Sequence, residues 1–368
     1  MDITAAVLRQ AGGPMELERL QLEAPRPTEI VVQVAGTGIC HTDLSFHDGH
    51  WPYPLPAVLG HEGAGTVITV GDAVTDLAPG DRVVLSSGSC GTCRACLSAR
   101  PAECPSAALI NMRGSRADGS LSLSKDGEPV HGTFVSQSSF ATHALTEARF
   151  AVKLPDDVSL ELAGTLGCGV QTGAGAVLNA LQPRPGSSVA VYGMGAVGLS
   201  ALAAAKHSGA NTIIAVDVSA ARLDLAKTFG ATHLVDASTG DAVEQIRAIV
   251  AGGVDGAVEA SGSPQALTDA FLSTHGSGTT ILVGAAKPGT QYAVDSLSLL
   301  AGRTLRGCTM GLSNPRVFIP QLVEMWRSGL LPLEAMSRTY PLSDIGAALA
   351  AAADGSVVKP VLVPEAHT

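Results

Sequence analysis

Ser187-Ser-Val-Ala-Val-Tyr-Gly-Met-Gly-Ala-Val-Gly198, then a long apolar segment, then Thr212-Ile-Ile-Ala-Val-Asp217: the reading of this chain turns on that stretch. Residues 188–192 are a short apolar run of strand type. Gly193, Gly195 and Gly198 complete a G-x-G-x-x-G pattern, and Ala196 to His207 reads as a helix closed by Gly209. A second apolar strand at 212–216 ends on Asp217. Glycines alone say little in a chain with 42 of them. The order strand, glycines, helix, strand, acid says much more. The first glycine permits a tight turn, the second lets a pyrophosphate approach the backbone, and the third lets helix and strand pack closely. Amides at the helix start, at Ala196 and Val197, are donors for the phosphates, aided by the partial positive charge of the helix end. Asp217 is placed to accept hydrogen bonds from the adenosine ribose hydroxyls and to repel a 2′-phosphate. This part of the chain is predicted to bind NAD.

A chain of 368 residues is long enough for two domains, each with a sizeable core. Charged residues make up 15% and apolar residues 46%, which is globular composition and excludes disorder. The formal charge of −10 argues against nucleic acid or an anionic membrane surface as partner. The opening Met-Asp-Ile-Thr-Ala-Ala-Val-Leu lacks a basic segment followed by an apolar one, and no apolar run is long enough to span a bilayer. A cytoplasmic protein without membrane attachment is the expectation. Seven cysteines stand at 40, 90, 93, 96, 104, 168 and 308. In such a compartment clustering of this kind points to metal rather than disulfides.

Residues 1–38 alternate apolar runs such as Glu29-Ile-Val-Val-Gln-Val-Ala with Pro and Gly, and read as strands and turns. Gly38-Ile-Cys40-His-Thr-Asp-Leu follows, and then Gly60-His61-Glu62-Gly-Ala-Gly. Cys40 and His61 are zinc-ligand types in glycine-flanked turns, and Cys168 in Thr165-Leu-Gly-Cys-Gly-Val offers a third ligand. Two cysteines and one histidine make an open site, with a fourth position for water or substrate. Between them Cys90, Cys93, Cys96 and Cys104 form C-x2-C-x2-C-x7-C. Four thiolates this close can enclose one tetrahedral zinc and leave no position for substrate. An iron–sulfur cluster is the chemical rival, but nothing else in the chain points to electron transfer. A structural zinc is the reading adopted. Cys308, left over, reads as packing.

Taken together, Gly60-His-Glu-Gly-Ala-Gly, the four-cysteine lobe, Gly167-Cys-Gly and Gly193-Met-Gly-Ala-Val-Gly resemble, in order and nearly end to end, the zinc-dependent medium-chain alcohol dehydrogenases. The resemblance implies an α/β protein: a β-rich GroES-like catalytic domain plus a doubly wound, six-stranded parallel Rossmann domain. The catalytic domain is expected over 1–169, the cofactor domain over 170–309, and 310–368 as the segment completing the first. Strands are expected at 188–192, 212–216, 233–235, 256–259, 279–283 and 304–308.

By the same resemblance Cys40, His61 and Cys168 hold a catalytic zinc, and the cysteine lobe a second, structural one. Thr42 takes the alcohol's proton, Asp43 orients the zinc-bound histidine, and Glu62 stands beside the metal. Asp217 and Arg222 contact the adenosine ribose, and Lys359 stands near the pyrophosphate. Two positions depart from the family pattern. His41 replaces an arginine that pairs with the pyrophosphate in many relatives, and a histidine carries charge only part of the time near neutral pH. Ser45 stands where the family's proton relay often ends in histidine, which leaves His47, His41 or water to end it.

Cys40-His-Thr-Asp-Leu and Trp51-Pro-Tyr-Pro-Leu-Pro-Ala-Val-Leu-Gly-His-Glu look most like the aryl-alcohol (benzyl-alcohol) dehydrogenase branch. That implies reversible oxidation of a primary aryl or allylic alcohol to its aldehyde with NAD, with Trp51 and Phe140 as pocket walls. The stretch 111–133 is read as a long loop, and a homodimer or homotetramer is expected. Two other readings stand beside this one. One is a thiol-dependent formaldehyde dehydrogenase acting on a glutathione or mycothiol adduct. The glutathione branch carries an arginine shortly after the last lobe cysteine, but Pro105-Ser-Ala-Ala-Leu has none, and Arg113 and Arg116 lie further along, which weakens the mycothiol version. A non-catalytic NAD-binding relative would have lost its zinc ligands.

Overall fold

The structure, a computed structural model, describes residues 1–365. Packing divides the chain into two units. One comprises Met1–Cys168, Asn314–Pro320 and the chain from Ser337 onward; the other comprises Gly169–Ser313 and Gln321–Met336. The expected boundary at 309/310 therefore shifts, and residues 321–336 join the second unit. Part of the reason lies at Gly311, whose φ is +64°. A side chain there would collide with the main chain of Gln171. Asn179 Nδ2 donates to Gly311 O at 2.9 Å, and Ser313 Oγ to Gln171 Oε1 at 3.1 Å.

The second unit is built on a six-stranded sheet in the order His233–Asp236, Thr212–Asp217, Ser188–Tyr192, Val254–Glu259, Thr274–Leu282, Thr304–Gly307. All five pairings are parallel. In chain order this is 3-2-1-4-5-6, the doubly wound arrangement that binds dinucleotides where the order reverses. Every residue of Ser188–Tyr192 is buried, as a central strand covered on both faces requires. The fifth strand begins earlier than expected, at Thr274, because the register against Val254–Glu259 shifts between Val254 and Gly256. Helices start on side-chain caps: Asp241 accepts from Val243 N and Glu244 N, and Ser263 from Ala266 N with Pro264 in the first turn. Such a cap contributes about 1 kcal/mol.

The first unit holds two mainly antiparallel sheets. The smaller runs Ala57–Val58, Asp2–Leu8, Met15–Leu22, Leu123–Lys125, Glu128–Val130. The larger runs Ala151–Lys153, Arg82–Leu85, Gly63–Val70, Glu29–Gly38, Lys359–Val363, Ser337–Pro341, with His143–Glu147 also on Glu29–Gly38. Residues 111–133 correct an expectation, since they are not one long loop. Asp126 and Gly127, with φ of +51° and +87°, make the tight turn of a hairpin between Leu123–Lys125 and Glu128–Val130. Two positive φ angles in a two-residue connection match the twist of the strands they join. Leu362 pairs with Thr37 and Val361 with Gly38, so the last strand sets Lys359 beside the segment that leads to Cys40.

Candidate active site

Cys40 caps the short helix His41–His47, and Asp43, buried in its first turn, ties that helix start to the Gly60–His61 turn. Its Oδ2 accepts from Cys40 N at 2.9 Å, and its Oδ1 from Gly60 N at 3.2 Å and His61 Nδ1 at 2.9 Å. A carboxylate on Nδ1 fixes the ring's tautomer and turns Nε2 toward the site. Cys168 follows the turn Gly164–Gly167. Ligand atoms of Cys40, His61, Glu62 and Cys168 all lie within 4.8 Å of one another.

Charge in this cluster is shared. A hydrogen bond from Cys168 leads in pushing the Cys40 thiol well below its ordinary pKa, helped by His61 and Lys359 against the effect of burial. The same bond, with burial, pushes Cys168 well above. Burial disfavours charge on His61, yet Asp43 and Cys40 outweigh it and raise the ring's pKa. The two thiols are thus pushed apart in proton affinity and the ring's is raised, and a divalent cation would take the place of protons at such a cluster. Two sulfurs and one nitrogen are a donor set that zinc takes, at about 2.3 Å and 2.0 Å, and the cluster's spacing fits a single ion. Lys359 Nζ donates to Glu62 Oε1 at 3.0 Å, Glu62 Oε2 at 2.9 Å and Ile39 O at 3.1 Å. Burial opposes the ammonium's charge, and Glu62 outweighs it, so Lys359 stays protonated; 2% exposed and held by Glu62 and Ile39 O, it is not free to meet a pyrophosphate as expected.

Ligand atoms of Cys90, Cys93, Cys96 and Cys104 form a second cluster within 4.8 Å. All seven cysteines are free of disulfides. The amides of Thr92 and Cys93 lead in lowering the Cys90 thiol to about 6, toward the thiolate a metal needs. With four thiols and no carboxylate or histidine in the set, a metal held here has no open position.

In the second unit Gly193 has φ +89°, and a side chain on it would press within 2.8–2.9 Å of Ser261. A side chain on Gly198 would meet Gly193 O. Gly195 caps the helix Ala196–His207, so the amides of Ala196 and Val197 begin its first turn. Asp217 accepts from Met194 N at 2.6 Å and Ser219 N at 2.9 Å, which ties the second strand's end to the glycine turn. Arg222 stands half-buried in the helix Ala220–Ala226, with no side-chain ion pair among the described residues.

Other expected site residues are placed as follows. Thr42 is half-buried and His41 exposed, in the turn after Cys40. His47 cannot end a proton relay as considered: its Nε2 is 2.8 Å from Gly13 O and its Nδ1 2.7 Å from Asp48, so both nitrogens are engaged. Phe140 is not a pocket wall. It is wholly buried in the core, against the backbone of Gly60. Trp51 is 38% exposed and lies 6.0 Å from Phe46. Phe46 packs edge-on against Tyr53 and Phe134, and Phe134 meets the His61 ring at 5.5 Å. Phe134 and Tyr53 were not anticipated, although Tyr53 stands inside the quoted Trp51–Glu62 stretch. Arg116 is buried and committed to Glu29 at 2.7 and 2.9 Å, so it is not free to hold a substrate carboxylate.

The profile of the alcohol dehydrogenase GroES-like domain matches residues 26–156, and that of the zinc-binding dehydrogenases matches residues 196–326. A geraniol dehydrogenase from Castellaniella defragrans is 44% identical over 98% of this chain and 97% of its own. The benzyl alcohol dehydrogenase of Acinetobacter calcoaceticus is similar in structure, with a TM-score of 0.96 and 43% identity over 99% of this chain and all of its own. An alcohol dehydrogenase zinc-binding domain protein from Burkholderia ambifaria gives a TM-score of 0.98 and 47% identity, with both chains covered in full.

Proposed function

The chain belongs to the zinc-dependent, NAD-using alcohol dehydrogenases, and on that premise we propose that it oxidises primary alcohols one carbon from an aromatic ring or a double bond. The observation that carries this is the likeness to a geraniol and a benzyl alcohol dehydrogenase, together with Trp51, 38% exposed, and half-buried Tyr53, the rings of this cluster that keep accessible surface while Phe46 and Phe134 are enclosed in the core. Flat apolar faces beside a polar centre suit a flat apolar alcohol. Geraniol and benzyl alcohol, named for two similar proteins, share this unsaturation next to the reacting carbon.

Cys40, His61 and Cys168 are the residues proposed to hold the catalytic zinc, and Cys90, Cys93, Cys96 and Cys104 the structural one. Bound zinc supplies Lewis acidity that makes a hydroxyl at the site more acidic, and NAD supplies the hydride acceptor. The chain's own residues do the rest. Asp43 holds His61 in one tautomer. Thr42 Oγ1 is proposed to take the alcohol's proton and pass it on, with His41 or water as the next carrier. Lys359 balances the charge of Glu62 close to the thiols. Asp217 holds the glycine turn through Met194 N and accepts from the adenosine ribose.

We further propose a homodimer or homotetramer formed through the open strand Thr304–Gly307. Next to it Leu297, Leu299 and Leu300 stand 71%, 40% and 83% exposed. No helix of the described residues is long and apolar enough to cross a membrane, and a cytoplasmic location is the reading that accompanies it.

The test is kcat/KM with NAD for benzyl alcohol and geraniol against ethanol, in wild type and Trp51→Ala. A preference of about 10²-fold or more for the unsaturated alcohols, reduced in the variant, is expected; each methylene-sized contact in such a pocket is worth about 10–200-fold. Equal efficiency with ethanol would remove the substrate assignment.

A further inference from the structure

We infer that Gln137 is a positioning residue for the metal centre: its side-chain amide grips the main chain on both sides of Glu62 and so sets where His61 and Glu62 point. The inference rests on the reading of His61 as a metal ligand.

Gln137 is 1% exposed. Its Nε2 donates to His61 O at 2.9 Å, and its Oε1 accepts from Gly63 N at 2.9 Å. A primary amide is the smallest side chain that donates and accepts in one plane, and here it closes a bridge across His61-Glu62-Gly63. Gly63 is matched to it, because a side chain there would come within 3.0 Å of Gln137 Oε1 and 2.7 Å of Ser139. Asp43 holds the same histidine by its ring. One residue fixes the imidazole's rotation and the other fixes the backbone that carries it.

The segment presenting Gln137 is held in an unusual conformation. Thr133, Val135, Ser136 and Ser138 have φ of +59°, +46°, +65° and +53°. Left-handed φ is disfavoured for any residue with a side chain, and most for β-branched Thr and Val. Such backbone persists only where its surroundings over-determine it, and it gathers at functional sites. The surroundings here are buried hydrogen bonds. Ser138 Oγ donates to Val58 O at 2.6 Å and accepts from Phe134 N at 2.8 Å. Ser136 Oγ donates to Asn111 Oδ1 at 2.8 Å, and Ser139 N to Gly60 O at 2.9 Å. The same segment sets Phe134 edge-on against the His61 ring, at 75° between planes. Two side chains of one strained turn therefore meet the histidine, one on its backbone and one on its ring.

The test uses full-length enzyme in which cobalt(II) replaces zinc, so that visible absorption reports the ligand geometry directly. Gln137→Met removes both hydrogen bonds at similar volume. Gln137→Glu keeps the acceptor for Gly63 N and loses the donor to His61 O, and it carries the test if the Met variant does not fold. His61→Ala runs alongside. The expected result is a shifted cobalt spectrum in the Gln137 variants and a fall in kcat of about 10–100-fold, the usual cost of losing a partner that orients a metal ligand. KM for NAD should not change, and Gln137→Glu, which sets a buried carboxylate oxygen against His61 O, should shift the spectrum at least as far as Gln137→Met. A folded Gln137 variant with wild-type spectrum and kcat, and only a lower melting temperature, overturns the inference and leaves the ligand assignment standing. A wild-type cobalt spectrum in His61→Ala overturns the ligand assignment itself, and the inference with it.

Discussion

Lys359 and Glu62 form an ion pair with side chains 3% and 0% exposed, beside two thiols and an imidazole. Charges so placed are costly to bury and costlier to separate. Lys359→Met is therefore expected to lower the first unit's stability by about 3–5 kcal/mol, read as a drop in urea midpoint. Adding Glu62→Leu should restore part of the loss, because the uncompensated carboxylate goes with it. A single variant as stable as wild type would show that the pair is not held as buried ions. Residues of this kind were legible in the sequence where they sit in glycine-flanked motifs. Gly38 and Gly60 are needed because Glu62 and Phe140 fill the space their side chains would take. Gln137 and Phe134 carried no such signature. A glutamine 74 residues from its partner looks like any other, and only the fold brings it to Gly63. His47 and Phe140 misled for the opposite reason. Their chemistry was suitable, but Gly13 O and Asp48 engage the one and the core encloses the other.

Among elements, the central strands of the parallel sheet, Ser188–Tyr192 and Thr212–Asp217, were readable because each is a short apolar run that ends at a glycine or an acid. Ser188–Tyr192 matches its expected limits, and Thr304–Gly307 ends one residue early. The early start at Thr274 was hidden, since His275-Gly-Ser-Gly has neither alternation nor apolar character. The hairpin at 123–130 did have a signal, Asp126-Gly127, which was outweighed by the Gly- and Ser-rich composition around it. Thr304–Gly307 is the sheet's last strand, and its outer edge pairs with no strand among the described residues. Unpaired edges and exposed leucines invite another chain. Leu297→Glu with Leu300→Glu is expected to shift sedimentation from oligomer to monomer at micromolar concentration. An unchanged oligomer would place the interface elsewhere, and a wild-type monomer would end the proposal.

For the whole molecule, composition bounded the class and the motifs ordered the parts, but the division of the C-terminal segment lay beyond reach. Residues 310–368 hold strands of the first unit and a stretch, Gln321–Met336, that packs with the second. An amphipathic helix shows in sequence that one face is buried, without showing against what. The chain's end matters to the centre all the same, because Lys359–Val363 completes the larger sheet and carries Lys359 to Glu62. Cys40, His61 and Cys168 are proposed to hold the zinc at which alcohol is oxidised. Zinc content per chain, measured with turnover and NADH binding in wild type and Cys40→Ser, tests it most directly. Two zinc ions in wild type, one in the variant, turnover lost and NADH binding kept are predicted from the two separate clusters. A variant that keeps both ions and turns over benzyl alcohol at close to the wild-type rate would rule out Cys40 as a ligand of the catalytic zinc.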